Sequence, residues 1–280
     1  MKRKVVSTGM LKAFKTYLFN DEKSAATIAK YMHDVQHFAY YMGGGVVKKE
    51  SVLAYKNYLA QTYAISSANS MLAAVNTFLK FAGLMDCCVK QFKIQKQVYS
   101  SSQKELTKAE YLRLVETARK KGNERLSLIL QTICGTGIRV SELQFITVEA
   151  VRNGEAIVFC KNKSRRIFIV GRLKQNLFFY AKQHKILSGP IFVTRTGREI
   201  SRIHIWREMK ALCAEAGIAP EKVFPHNLRH LFARVFYGIE KDIAKLADIL
   251  GHSSINTTRI YIMSTGEEHR RKMEQMKLVI

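Results

Sequence analysis

Basic and aromatic side chains suited to phosphate chemistry occur in four short motifs. PHNLRH lies at residues 225–230, LGHS at 250–253 and RIY at 259–261, while TGIRVSEL lies far upstream at 136–143. An arginine can bind two phosphate oxygens at once, a histidine can accept or donate a proton near neutral pH, and a tyrosine hydroxyl can act as a nucleophile. The four motifs together predict a site that holds a phosphodiester while a phenol attacks it.

Each motif taken alone also has a purely structural explanation. His226 and Arg229 are three residues apart and share a helix face, as many surface pairs do. His252 follows a glycine that ends a helical pattern, so it fits an ordinary turn between helices. Glu142 lies three residues after Arg139 and could orient its guanidinium or simply form a salt bridge with it. The chemical interpretation therefore depends on the order and spacing of the whole set.

The spacing of His226 and His230 also fits a metal site, because two histidines four residues apart on a helix can bind zinc together. However, the glutamate that follows the first histidine in such motifs is absent, and no third ligand is adjacent in sequence. We therefore predict no metal, and we expect His230 to support the neighbouring side chains.

The N-terminal part of the chain has the pattern of a helical domain. Apolar residues recur three and four positions apart between residues 9 and 85, in four segments separated by polar or glycine-containing breaks. This pattern predicts a four-helix domain at residues 1–86. Residues 87–105 lose the periodicity and are rich in lysine and serine, so we expect a basic, solvated linker there.

Residues 106–280 predict a second domain that contains β-structure as well as helices. Thr107 and Glu110 form a capping-box pattern that opens its first helix. Two β-rich segments, 156–160 and 167–170, flank a basic run and predict a hairpin with a positively charged tip at 161–166.

Later segments of this second domain return mostly to helical spacing. Residues 191–193 are apolar and predict a third strand, whereas Pro225 predicts the first turn of a helix that carries His226 and Arg229. The fold class that follows is mainly α, with a small β-hairpin or sheet in the C-terminal domain.

The charge of the chain predicts a polyanionic partner. Lys and Arg number 46 and Asp and Glu number 22, for a formal net charge of +24. An excess of this size favours a polyanion such as a nucleic acid, held mostly by contacts to its phosphates. Outside the motifs, the candidate DNA-binding residues are Lys90, Lys93 and Lys96 in the linker, Lys163 and Arg165 in the hairpin, and Arg202, Arg207 and Lys210 in a helical segment.

Targeting signals and disulfides are not predicted. No apolar run approaches the ~20 residues that span a bilayer, and the N-terminus lacks the apolar core of a signal peptide. The chain has five cysteines and no C-x-x-C motif, which indicates neither a disulfide framework nor a thiolate zinc site. We expect a cytoplasmic protein without a membrane partner.

The set Arg139, Lys161, His226, Arg229, His252 and Tyr261 resembles the signature of tyrosine site-specific recombinases of the phage integrase and Xer type. In that family the first arginine lies in Thr-Gly-x-Arg-x-Ser-Glu-Leu, the lysine on a β-hairpin and the second arginine in His-x-Leu-Arg-His. A histidine in Leu-Gly-His-Ser precedes the nucleophile by nine residues, as His252 precedes Tyr261. The resemblance also implies that the N-terminal domain is a helical core-binding (SAM-like) domain. The resemblance therefore spans nearly the whole chain.

The resemblance implies a role for each site residue. Arg139 and Arg229 would bind the phosphate, and Tyr261 would attack it to form a 3′-phosphotyrosine and release a 5′-hydroxyl. His226 would act as base or hydrogen-bond support, and His252 would hold a phosphate oxygen. No ATP, metal or other cofactor is implied.

The choice of general acid stays open between two lysines. Lys161 would protonate the leaving oxygen, but Lys163 lies only two residues further along the same hairpin. Glu142 and His230 would act as supporting residues.

The partners implied by the resemblance are double-stranded DNA with paired recombination sites and further copies of the chain. The expected assembly is a dimer on each site and a tetramer in the synapse, with a C-terminal helix at about 267–280 docking on a neighbouring protomer. Two alternatives remain open, a type IB topoisomerase-like enzyme with the same chemistry and a non-catalytic DNA-binding protein of the same fold.

Overall fold

The computed structural model describes residues 5–94, 105–160, 163–169, 171–194, 196–262, 270 and 273–276. The chain divides into two compact units, Met1–Lys96 and Gln97–Ile280. Each unit has its own hydrophobic core.

Four helices form the N-terminal unit, as the apolar spacing predicts. They are α1 (Thr8–Asn20), α2 (Ala25–Met42), α3 (Lys49–Thr62) and α4 (Ile65–Phe81). The side chains of Ser7 and Ser24 cap α1 and α2 by accepting backbone N–H groups of the first turn. The apolar faces of the helices meet in one core, where Phe14, Phe38 and Phe78 are fully buried.

The chain after α4 differs from the solvated linker that the sequence predicts from residue 87 onward. A 3-10 helix, Met85–Cys87, is followed by extended backbone held on α4. The side chain of Asn76 donates to the carbonyl of Val89 at 2.8 Å and accepts its N–H at 3.0 Å. Asn69 makes the same two bonds to the backbone of Phe92, at 2.9 Å and 2.8 Å. Two carboxamides thus replace water as partners of the backbone at residues 89 and 92, within the segment that the sequence predicts to be a linker.

Helices also dominate the second unit. They are α5 (Lys108–Lys120), α6 (Glu124–Thr136), α7 (Val148–Asn153), α8 (Gly171–Gln183), α9 (Arg202–Ala211), α10 (Cys213–Ala216), α11 (Pro225–Glu240), α12 (Ile243–Leu250) and α13 (Ile255–Arg259), with 3-10 helices at Val140–Phe145 and Pro220–Lys222. Thr107 caps α5 through the predicted capping box with Glu110. Helix α6 is the most enclosed, with side chains such as Leu126, Ile129 and Ile133 fully buried.

The predicted hairpin is present, but its second strand begins earlier than expected. Strands β1 (Glu155–Cys160) and β2 (Lys163–Phe168) pair antiparallel, with Cys160 opposite Lys163. Residues 163–166 were expected in the tip and are instead part of the ladder. Strand pairing uses backbone groups, so basic side chains are compatible with the ladder: Arg166 is exposed, whereas Arg165 lies on the same face as Ile167 and binds Glu142. Positions 161 and 162 at the tip lie outside the described residues.

The predicted third strand is wrong. Val193 forms an isolated bridge with Glu199, and the sheet that the structure describes has two strands. One face of the hairpin, including Val158 and Ile167, is buried in the core of the second unit. Across the described ranges, no helix is both long and apolar enough to cross a membrane.

Candidate active site

Helix α11 carries the PHNLRH motif and has two different faces. Pro225 occupies the first turn, where a helix needs no backbone N–H donor. Leu228 and Leu231 are buried on the side of the core. His226 and His230 lie one turn apart, with ring centroids 4.8 Å from each other. The helix therefore directs two imidazoles toward the same region.

Arg229 is 1% exposed and is bound by carbonyls from two other segments. Its Nη1 donates to the carbonyl of Gly137 at the end of α6, and its Nη2 donates to the carbonyl of Leu250 at 2.6 Å, at the end of α12. Carbonyls at helix C-termini carry partial negative charge and thus stabilise the buried cation. The same Nη2 lies 3.0 Å from Nε2 of His252. Arg229 therefore joins α11 to both helix ends.

Glu142 is buried, 3% exposed, and binds two arginines. Its Oε1 accepts from Nη1 of Arg139 at 2.9 Å, and its Oε2 accepts from Nη2 of Arg165 at 2.5 Å. Arg165 also donates to the carbonyl of Ile249 at 2.8 Å, and Nη2 of Arg139 reaches the carbonyl of Gly251 at 3.5 Å. The carboxylate thereby connects the TGIRVSEL motif, the hairpin and the turn after α12.

Charge balance around this carboxylate favours an anionic ligand. Burial raises the pKa of Glu142, but hydrogen bonds from Arg139 and the charge of Arg165 outweigh burial and lower the pKa overall. Burial lowers the pKa of Arg229 to about 10, which leaves it protonated at neutral pH. Three guanidinium groups therefore accompany one carboxylate in this part of the molecule.

His252 lies in the tight turn between α12 and α13. Gly251 before it has φ +64°, and a Cβ there would collide with Cδ of Arg165, so the turn requires glycine. The Nε2 of His252 faces Arg229, and its Nδ1 lies 2.9 Å from Oγ1 of Thr258. Both ring nitrogens are therefore in contact with protein side chains.

Tyr261 follows α13 and is 6% exposed. Its hydroxyl lies 3.4 Å from Nε2 of His226, and its ring stacks on His230 with centroids 4.1 Å apart and planes at 18°. The guanidinium carbon of Arg229 lies 6.0 Å from the centre of the same ring. The tyrosine is thus enclosed by the imidazoles and by one of the two signature arginines.

Burial and neighbouring charges keep the histidines around Tyr261 neutral. Loss of hydration, aided by nearby cations, lowers the pKa of His230 to about 4 and that of His252 to about 4. Partial burial, followed by the charge of Arg229, also lowers the pKa of His226. A neutral His226 can accept a proton through the Nε2 that faces the Tyr261 hydroxyl.

Several predicted DNA-binding residues are exposed. Lys90 and Lys93 are exposed in the N-terminal unit, and Arg202 and Arg207 are exposed on α9. Lys210, also on α9, is half-buried and donates to the carbonyl of Pro220.

Other predicted residues lie outside the described part of the chain, or are described by their backbone alone. Lys96 and Lys161 lie outside the described residues, and Lys163 is described only by its backbone in β2. The segment expected to dock on another protomer, 267–280, is described only at residues 270 and 273–276.

The contacts of Arg165 and Thr258 were not anticipated from the sequence. Arg165 stays a predicted DNA-binding residue, and in the structure its guanidinium donates to Glu142 and to the carbonyl of Ile249. A signal was present, because Arg165 alternates with Ile167 and Ile169, which are both buried. Thr258 carries no comparable signal, since a threonine in a polar stretch is an ordinary surface residue.

The geometry around His226 and His230 gives no sign of a metal centre. The two rings contact each other edge to face and both contact Tyr261. No group of three or more potential metal ligands occurs in the described part of the chain.

Comparison with known proteins assigns this architecture. The model of the phage integrase family matches residues 104–268, and the model of the phage integrase N-terminal SAM-like domain matches residues 11–84. The chain belongs to the phage integrase family. The predicted fold class, the enzyme class of tyrosine recombinases that cleave and rejoin DNA, and site-specific recombination are thereby confirmed, and both alternatives are less favoured.

Relatives in the phage integrase family match along nearly all of the chain. Tyrosine recombinase XerA of Pyrococcus furiosus is 29% identical over 289 residues, which covers 100% of this chain and 98% of the relative. The crystal structure of a XerA recombinase has a TM-score of 0.54 at 26% identity and covers 97% of this chain and 99% of its own. A lambda integrase dimer bound to a COC′ core site has a TM-score of 0.74 at 17% identity, covers 92% of this chain and 78% of its own, and shows the fold alone.

Proposed function

We propose that this chain cuts and rejoins duplex DNA at specific sites through a covalent 3′-phosphotyrosine on Tyr261. The observation that carries the proposal is the convergence of residues far apart in sequence. Arg229 contacts His252 and lies beside the Tyr261 ring, while the Tyr261 hydroxyl faces His226. Nucleophilic attack on a phosphodiester needs a nucleophile, a proton acceptor and fixed positive charge.

In the cleavage step, Oη of Tyr261 attacks phosphorus while its proton passes to Nε2 of His226. The bond between phosphorus and Oη forms, the bond between phosphorus and O5′ breaks, and a hairpin lysine, Lys161 or Lys163, protonates the leaving 5′ oxygen. Attack by a 5′-hydroxyl of another strand reverses these steps and frees the tyrosine. Each phosphodiester lost is regained, so the reaction needs no ATP.

Arg139 and Arg229 have the electrostatic role in this proposal. Their planar donors bind nonbridging phosphate oxygens and stabilise the charge that builds on phosphorus, without a metal ion. Arg229 is 1% exposed, so contact with phosphate requires the side chains that cover it to move when DNA binds. Arg139 is partly exposed and offers the phosphate its first contact.

A nicked suicide duplex tests the nucleophile, because loss of the short strand after cleavage traps the covalent adduct. We expect an adduct with the wild type and none with Tyr261→Phe. Tyr180→Phe is the matched control, since Tyr180 is also 6% exposed and lies in α8. An adduct formed by Tyr261→Phe, or no adduct with the wild type on its own recombination site, contradicts the proposal.

We also propose that exposed basic residues of α9 bind DNA phosphates. The side chains of Arg202 and Arg207 are exposed, and the net charge of +24 supports phosphate binding. Each Arg→Gln change should reduce the slope of log affinity against log salt by about 0.9. Lys120→Gln is the control, because Lys120 is exposed but paired with Glu116 on α5. Equal slopes for all three variants would argue against this surface.

For assembly, we propose a dimer on each recombination site, a tetramer in the synapse, and a C-terminal segment that docks on the neighbouring protomer. A lambda integrase of the same fold is described as a dimer on its core site, which supports the dimer. Light scattering of the chain on one site and on two paired sites should give masses of two and four protomers. Removal of residues 267–280 should leave monomers on the DNA, and unchanged masses would contradict the docking role.

A further inference from the structure

Thr258 contacts both His252 and Tyr261. Its Oγ1 lies 2.9 Å from Nδ1 of His252, and its carbonyl accepts the backbone N–H of Tyr261 at 2.9 Å. The residue is fully buried within α13, so the hydroxyl is shielded from water. A buried hydroxyl without a partner costs about 1–3 kcal/mol, which makes the histidine its natural partner.

The direction of the hydrogen bonds around His252 follows from Arg229. A guanidinium has donors and no acceptor, so Nη2 of Arg229 must donate to Nε2 of His252 across 3.0 Å. A neutral imidazole that accepts at Nε2 carries its proton on Nδ1. That proton faces Thr258, whose Oγ1 therefore accepts it.

We infer that Thr258 is a positioning residue that holds His252 in place and allows its ring to exchange tautomers when phosphate binds. The inference rests on the proposed function, in which His252 donates to a phosphate oxygen. For that bond Nε2 must carry the proton, which leaves a lone pair on Nδ1. A threonine hydroxyl can accept from Nδ1 in the free enzyme and donate to it in the complex.

The exchange leaves the charge of the ring unchanged. One proton leaves Nδ1 for water, one proton reaches Nε2 from water, and the Thr258 hydroxyl rotates to satisfy the new acceptor. Arg229 is released from Nε2 by the same change, because that nitrogen no longer accepts. The threonine thus couples the histidine's phosphate contact to the freeing of one arginine donor.

Three variants separate this role from a packing role. Thr258→Val removes the hydroxyl and keeps the branched shape and the backbone bond to Tyr261, whereas Thr258→Ser keeps the hydroxyl. Thr132→Val is the matched control, because Thr132 is also fully buried and its hydroxyl donates to the carbonyl of Leu128 in its own helix.

Single-turnover adduct formation at saturating duplex gives the kinetic test. We expect Thr258→Val to slow it about tenfold, which corresponds to ~1.4 kcal/mol, with DNA affinity unchanged. Thr258→Ser and Thr132→Val should cleave at the wild-type rate. A wild-type rate for Thr258→Val, or an equal loss in Thr258→Ser, overturns the inference.

Nitrogen NMR of the His252 ring gives a test that does not depend on activity. The free wild type should carry its ring proton on Nδ1, and the Tyr261→Phe variant bound to an intact site should carry it on Nε2. A proton on Nε2 in the free protein, or on Nδ1 in the complex, overturns the inference. Failure of the proposed function would instead appear as a wild type that forms no adduct.

Discussion

Gly137 offers a quantitative test of how the site is packed. It has φ +66° at the end of α6, and a Cβ there would lie 2.5 Å and 2.7 Å from two ring carbons of Phe232. In Gly137→Ala, holding an alanine in the left-handed conformation costs about 1–2 kcal/mol of stability. Overpacking of the new methyl group against Phe232 costs about 1–3 kcal/mol more. We expect the free energy of unfolding to fall by about 2–5 kcal/mol in total. Because the Gly137 carbonyl binds Arg229, adduct formation should slow as well.

Gly122→Ala is the matched control, since Gly122 has φ +68° but nothing within 4 Å of a Cβ. It should show the conformational cost alone. Urea unfolding followed by the fluorescence of Trp206, the single tryptophan of the chain, reports on the second unit. Equal destabilisation by the two variants would refute the packing argument, and so would a Gly137→Ala protein as stable as the wild type.

Three further predictions concern charge, pH and the N-terminal unit. Glu142→Gln leaves a buried cation without its carboxylate and should lower the free energy of unfolding in urea by about 3–5 kcal/mol, whereas the exposed Glu116→Gln should change it by under about 1 kcal/mol. The pKa values of about 4 for His230 and His252 in the folded protein lie below the value in the unfolded chain, so the unfolded chain takes up protons first as the pH falls. The urea midpoint should therefore decrease as the pH is lowered from about 6.5 to about 4, and it should decrease less steeply in His230→Gln. Asn76→Ala removes both bonds to Val89 and should destabilise the N-terminal unit by about 1–3 kcal/mol in thermal unfolding, while an unchanged midpoint would contradict the anchoring role.

Local signals in the sequence predicted the elements that carry the site. The proline at 225 begins α11, the capping box at Thr107 begins α5, and Gly251 ends α12, as their residue types indicate. These features depend on a few neighbouring residues, so they can be recognised without tertiary information. The three-residue spacing of Arg139 and Glu142 likewise predicted the contact between their side chains.

Features that depend on distant partners were not predictable in this way. Arg165 belongs to a basic run whose residue types predict a solvated tip, but Glu142, 23 residues earlier, and the carbonyl of Ile249 accept hydrogen bonds from its guanidinium in β2. Residues 89 and 92 lie against α4 because Asn76 and Asn69 reach their backbone groups. Such side-chain to backbone bonds between segments leave no periodic trace in the sequence.

The bonds of Arg229 to two carbonyls have a practical consequence for the study of inactive forms. Truncating this side chain would remove the hydrogen bonds that join α11 to the ends of α6 and α12. It would also remove a proposed phosphate ligand. A loss of activity in an Arg229→Ala protein could therefore result from the missing phosphate contact or from misfolding, and the activity alone would not distinguish the two. Tyr261→Phe deletes a single oxygen and is the better choice when a cleavage-dead but intact protein is needed to trap complexes with DNA.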